Sequence, residues 1–218
     1  MKAERKKSME FEVIRKLFNI KQDGGFSEND IRKACEKHGS LPLVLQEYYR
    51  QLGNYKQINQ TQNSLCRPSE LIDTEEYLIF YKENQYVVQW AIKKSDLNKD
   101  NPPVYCLRDE NQFKLESKNL LDFLYAMAFF QAASWGLEYC SDDLYMISQE
   151  QAEIIRNRYQ KIEYELHQWM NISYYGNCDD EVICIIENSD YDMLYASSNQ
   201  QHFDEMKKFI DSLGLESY

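Results

Sequence analysis

The chain has 218 residues, with 25 Lys+Arg against 36 Asp+Glu and a formal charge of −11. At roughly 100–200 residues per domain this is one domain, or one with an extension, large enough to fold without disulfides or metal. An apolar content of 43% with 17 tyrosines excludes global disorder, and the charge sign disfavours direct nucleic-acid binding, which needs a basic surface.

The first elements read as helices. Met9, Val13, Ile14, Leu17 and Phe18 share one stripe, predicting a helix over 9–20 that the Gly24-Gly25 pair ends. Ser27 is placed to cap a second helix carrying Ile31, Ala34 and Cys35, and His38-Gly39-Ser40 closes it. Pro42 marks the start of a third helix, which runs through Leu45, Tyr48, Tyr49 and Leu52 and stops at Gly53.

The period then changes. Tyr77–Tyr81 and Tyr86–Ile92 are β-branched and aromatic runs around Glu83-Asn84-Gln85, and they predict a hairpin. Val104–Leu107 is a third strand with Pro102-Pro103 at its entry, and Gln112–Leu115 is a short fourth. Leu120, Phe123, Leu124, Met127 and Phe130 then recur at helical spacing. These elements predict an α+β fold, a mostly antiparallel sheet packed against helices. Trp90, Trp135 and Trp169 fall on predicted elements and read as core.

Ile155, Tyr159, Ile162, Leu166 and Trp169 step along a long helix. Val182–Ile186 and Met193–Ala196 read as strands joined by an Asn-Ser-Asp turn, and Phe203, Met206, Ile210 and Leu213 mark a terminal helix stopped by Gly214. The last third is therefore expected to be an α-β-β-α extension. Residues 1–140 hold 20 basic and 20 acidic side chains while residues 141–218 hold 5 and 16, so the whole charge excess lies in the extension. Such a segment serves either as a solubilising face or as a docking surface for a basic partner.

No secretory signal follows the basic start at Met1–Lys7, and no apolar run reaches the roughly 18 residues of a membrane helix, so a cytoplasmic location is expected. The six cysteines lack paired spacing and read as small buried hydrophobes in a reducing compartment, with His38, His167 and His202 completing no zinc pattern. Phosphate-cradling loops, nucleophile elbows and HExxH helices are absent. Asp142-Asp143 and Asp179-Asp180 read as solvated acids. No catalytic residue, metal ligand or cofactor is assigned. A Cys–His pair assembled only by the fold stays open, since such partners need not be neighbours in sequence.

Leu41-Pro42, Leu45, Tyr48-Tyr49 and Gly53, then Leu65-x-x-Pro68-x-x-Leu71, stand in order with Leu78–Tyr81, Glu83-Asn84-Gln85 and Trp90-x-Ile92. Asp96, Asn101–Tyr105 and Leu120-x-x-Phe123-Leu124 complete the series. In this order and spacing the stretch from about 27 to 135 resembles the SUKH superfamily, which includes fungal cell-wall glucan-synthesis regulators and many bacterial immunity proteins. The resemblance implies a SUKH-like domain over 1–140 with its core at about 27–135; it does not cover the acidic segment, and because no Gly/Pro/Ser-rich linker precedes it, the extension over 141–218 is expected to pack on the same domain. It implies a non-enzymatic antidote that binds and blocks a polymorphic or contact-dependent toxin, often a nuclease. A regulatory or scaffold adaptor is the alternative. A nuclease cleft is basic because it holds phosphates, so acidic residues here suit it. Asp142, Asp143 and Tyr145 form one expected partner patch; Tyr174, Tyr175, Asp179, Asp180 and Glu181 form another, with the two tyrosines exposed as anchors. A tyrosine pair packed in a hairpin loop is the other reading of Tyr174-Tyr175.

Overall fold

The computed structural model describes residues 11–108 and 112–217. The basic start and Met9 of the first predicted stripe lie outside the described residues. The α+β expectation holds, with antiparallel sheets packed on helices.

Four helices come first: α1 (Glu12–Leu17), α2 (Glu28–His38), α3 (Leu43–Gln51) and α4 (Lys56–Asn59). The Ser27 hydroxyl caps α2 by accepting the Asp30 N–H at 3.2 Å, and Gly39 closes it in the left-handed region at φ +82°. Pro42 sits at the N-cap of α3. A first sheet follows from β1 (Asn63–Leu65), β2 (Ile72–Asp73), β3 (Tyr77–Glu83), β4 (Gln89–Lys93), β5 (Val104–Leu107) and β6 (Phe113–Ser117). Its order is β1-β3-β4-β5-β6 with β2 also on β3, antiparallel throughout. The β3–β4 turn is longer than expected. Glu83 takes the Gln85 N–H on its carboxylate at 2.8 Å, Tyr86 adopts φ +64°, and pairing resumes only at Gln89.

Helix α5 (Leu120–Gln131) leads into a second sheet made of β7 (Tyr139–Cys140), β8 (Tyr145–Ile147), β9 (Lys161–Leu166), β10 (Ile172–Tyr175), β11 (Glu181–Glu187), β12 (Tyr191–Ser197) and β13 (Glu216–Ser217). Two helices interrupt these strands, α6 (Gln149–Arg158) and α7 (Gln200–Asp211). The order is β13-β8-β12-β11-β10-β9, with β7 also on β12. The expected α-β-β-α series is present as α6, β11, β12 and α7, with β9 and β10 inserted and β8 and β13 added at its two ends.

That insertion corrects the long helix expected from Ile155 to Trp169. Helix α6 ends at Arg158, Tyr159 turns extended at ψ 145°, and Lys161–Leu166 is a strand. The segment carries two periods at once. Ile162, Tyr164 and Leu166 alternate with charged residues, and pairing with β10 selects the two-residue period.

Helix α5 explains how the sheets join. Ten of its twelve residues are buried, which is the signature of a helix enclosed on all sides rather than on one. Phe123 meets Phe80, Tyr81 and Trp90 of the first sheet with ring centroids 5.6–5.9 Å apart. Phe129 meets Tyr174 of the second sheet at 5.6 Å, and Tyr125 meets Tyr164 at 4.9 Å. Each buried aromatic of this kind contributes about 1.5–3 kcal/mol. At the helix end the buried Gln131 amide accepts the Gln62 and Asn63 N–H groups at 2.9 and 3.2 Å and donates to the Asn63 carbonyl and the Tyr81 hydroxyl.

The far face of the second sheet is also covered. Tyr175, Ile183, Ile185, Met193 and Tyr195 pack with Ile155 of α6 and Met206 and Ile210 of α7 in a separate core. Helix α7 thus lies on the outside of the molecule, one face on the sheet and the other in solvent. No helix among the described residues is long and apolar enough to cross a membrane.

Candidate functional site

The β10–β11 connection, residues 176–180, is held by its own side chains. The buried Glu181 carboxylate accepts the Asn177 and Cys178 N–H groups at 2.7 and 3.3 Å. The Asp180 carbonyl accepts the Ser197 hydroxyl and the Ser198 N–H, both at 2.8 Å. Across from it, Asn199 caps α7 by accepting the Gln201 and His202 N–H groups at 2.9 and 3.4 Å. These bonds bring His202 Nδ1 to 2.7 Å from the Asp180 carboxylate. Cys178, Asp180 and His202 place one ligand-capable atom each within 4.8 Å of one another. They line an open cleft of about 510 Å³ that Lys16 of α1 also borders.

The expected partner residues divide three ways. Asp179 is exposed and paired with Lys16 Nζ at 2.9 Å, which ties α1 to this loop. Asp180 is half-buried on His202, and Glu181 faces inward as the loop's acceptor rather than outward to a partner. Asp142 is exposed; Asp143 accepts its neighbour's Leu144 N–H at 2.9 Å; Tyr145 is half-buried with its ring 6.2 Å from that of Tyr195. Tyr174 and Tyr175 are corrections. Both are buried strand residues of β10, Tyr174 against Phe129 and Tyr175 in the core under α6 and α7, so neither is an exposed anchor nor part of a hairpin loop. Strand pairing on both sides of β10 forces its side chains into the two cores.

The carboxylates around α7 act on shared neighbours. Hydrogen bonding to Asp180 raises the His202 pKa, and Glu181 and Glu205 add to it. Burial raises the Cys178 thiol first, and Glu181, Asp180, Glu205 and Asp179 raise it further. Burial likewise leads for Tyr139 and Tyr195, followed by Glu138 and Asp204 for the former and by Tyr145, Asp211 and Asp142 for the latter. Asp204, Glu205 and Asp211 are exposed on α7 itself, where Lys208 is also exposed and Lys207 pairs with Asp211 at 3.4 Å.

Trp135 corrects a further expectation. It is 53% exposed and sits at φ +64° in the turn between α5 and β7. A left-handed tryptophan is a strained backbone choice, and the next residue, Gly136, lies too close to the Gln131 and Gln57 carbonyls to admit a Cβ. Tyr139 comes four positions later, so the two backbones lie at most about 14 Å apart, and the Tyr139 ring meets that of Phe203 of α7 at 6.1 Å.

Cys178 and His202 were not legible as a pair, since they are 24 positions apart and share no motif. Of the six cysteines, Cys66, Cys106 and Cys184 are buried as expected, whereas Cys178 is exposed. Burial first, and then the nearby carboxylates, raise its thiol pKa and so lower its thiolate fraction. Compared with protein-family models, curated proteins and solved structures, the chain gives no significant match.

Proposed function

We propose that this chain is a non-enzymatic antidote that neutralises a toxin, a nuclease with a basic active-site surface, by laying the acidic face around α7 across that surface. The observation that carries the proposal is the acidic excess in and near α7: Glu138, Asp142, Asp204, Glu205 and Asp211 are exposed, against Lys208 and a Lys207 that pairs with Asp211. Acids in the first 140 residues are matched in number by bases and several are paired, as in Arg50–Glu28, Arg32–Glu36 and Lys94–Asp73. The last third has 16 acids for 5 bases, so its surface cannot neutralise itself.

A one-sign surface attracts the opposite sign, speeds encounter and repels wrong partners. A nuclease must concentrate positive charge to hold phosphates, and a carboxylate row meets the same groups. Exposed Trp135, three positions before Glu138, supplies an aromatic anchor for the acidic surface, because tryptophan buries a large area at interfaces with few rotamers to freeze. The resemblance of residues 27–135 to the SUKH superfamily supports the same function.

The test is binding and inhibition of the toxin encoded beside this chain's gene. The purified chain should form a stoichiometric complex and suppress nuclease activity, and Asp204→Lys with Glu205→Lys should weaken both by about tenfold or more. Capture of several unrelated partners with no effect on a neighbouring toxin would favour an adaptor instead.

A further inference from the structure

We infer that Cys178, Asp180 and His202 form a binding site for a single divalent transition-metal ion of the zinc class, a site separate in its chemistry from the docking surface. The three donors are the thiolate, carboxylate and imidazole that zinc prefers. Their ligand atoms already lie within 4.8 Å of one another. Tetrahedral bonds of about 2.0–2.3 Å require donor-to-donor edges of about 3.3–3.8 Å, so closing the triangle takes side-chain motions of roughly 1 Å.

The backbone beneath each donor is pinned by a separate contact. Glu181 holds the Cys178 N–H, Ser197 and Ser198 hold the Asp180 carbonyl, and Asn199 holds the His202 N–H. Donors held this way lose little freedom on binding a metal, which is what a supporting shell contributes to affinity.

Asp180 supplies the carboxylate donor beside the Cys178 thiol and the His202 imidazole. A divalent ion bound by these donors displaces the thiol proton directly. Lys16 and Lys21 also border the cleft, but Lys16 is engaged by Asp179 at 2.9 Å. On binding, the Cys178 S–H proton and any proton shared between His202 and Asp180 pass to solvent, and three protein–metal bonds form in their place. Affinity must therefore fall as pH falls.

Cobalt(II) titration of the metal-free full-length chain tests this, because cobalt reports its ligands optically. A thiolate-to-cobalt charge-transfer band with tetrahedral d–d absorption should rise and saturate at one cobalt per chain, and equimolar zinc should bleach it. Cys178→Ser, at an exposed position that leaves the fold intact by circular dichroism, should abolish the charge-transfer band. His202→Gln should weaken cobalt affinity by about 10–100-fold or more, and Cys140→Ser should leave the spectrum unchanged. No band with the unaltered chain, or a band that survives Cys178→Ser, overturns the site. Loss of toxin binding in the tests above would not touch this outcome, since no toxin is present.

Discussion

The imidazole Nδ1 of His202 lies 2.7 Å from the Asp180 carboxylate, a contact that joins the first turn of α7 to the β10–β11 loop. Hydrogen bonding to Asp180 is the main reason the His202 pKa is raised, with burial opposing it and Asp180, Glu181 and Glu205 charge reinforcing it. A raised folded-state pKa means the pair's stabilisation is fully present below the ordinary histidine value near 6.5 and disappears as pH rises through the folded value. Asp180→Asn should therefore lower Tm at pH 5.5 relative to the unaltered chain, and the gap should narrow by pH 8.5. Its size should stay within about 1 kcal/mol, as for partly exposed pairs. A gap that widens with pH contradicts the assignment.

Gln131 links α5 to β3, β1 and the two residues before β1 through five hydrogen bonds of a fully buried amide, one of them accepted from the Thr61 hydroxyl. Gln131→Leu keeps the volume but leaves the Gln62 and Asn63 N–H groups without that acceptor. A loss of about 3 kcal/mol is expected, since each buried unsatisfied group costs about 1–3 kcal/mol. Urea unfolding should show a lower midpoint with an unchanged m-value.

Trp135 separates stability from binding. Its left-handed backbone suits asparagine better than tryptophan, so Trp135→Asn should leave folding stability within about 1 kcal/mol of the original. The same change should weaken toxin binding by about tenfold or more if the indole anchors the interface. A large stability loss with unaltered binding would place the indole in the core after all.

Phe123 is the ring on which the first sheet and α5 meet, and Phe123→Ala should destabilise the chain by about 3–5 kcal/mol. Because Trp90 packs on it, intrinsic fluorescence of the native state should shift as well.

How much of this was legible in the sequence follows from which signals were local. Ser27, Gly39 and Pro42 act within a few residues of themselves, and each stands where its chemistry predicted. The Ile155–Trp169 stripe failed because Ile162, Tyr164 and Leu166 fit both a helical and an alternating period, and only pairing with β10 decides between them. Tyr174-Tyr175 was expected to be exposed, yet as successive strand residues they point to opposite faces, where α5 covers one ring and the α6–α7 core the other. Of the acidic segment, composition located the charge but not which carboxylates face solvent: Glu181 turns inward while Asp204 and Glu205, unremarked in the sequence, carry the outer face. Cys178 and His202 meet only because β11 and β12 form a hairpin that returns the chain to its start.

The account rests on charge presented across α7. Affinity of the chain for the adjacent-gene toxin, measured by calorimetry in about 0.1 M and about 1 M salt, tests it most directly, because the screening length falls from about 10 Å to about 3 Å over that range. The expected result is a complex weakened by about tenfold or more at high salt, with Asp204→Lys/Glu205→Lys removing most of that salt dependence. An affinity indifferent to both salt and charge reversal, or no complex at all, would contradict it.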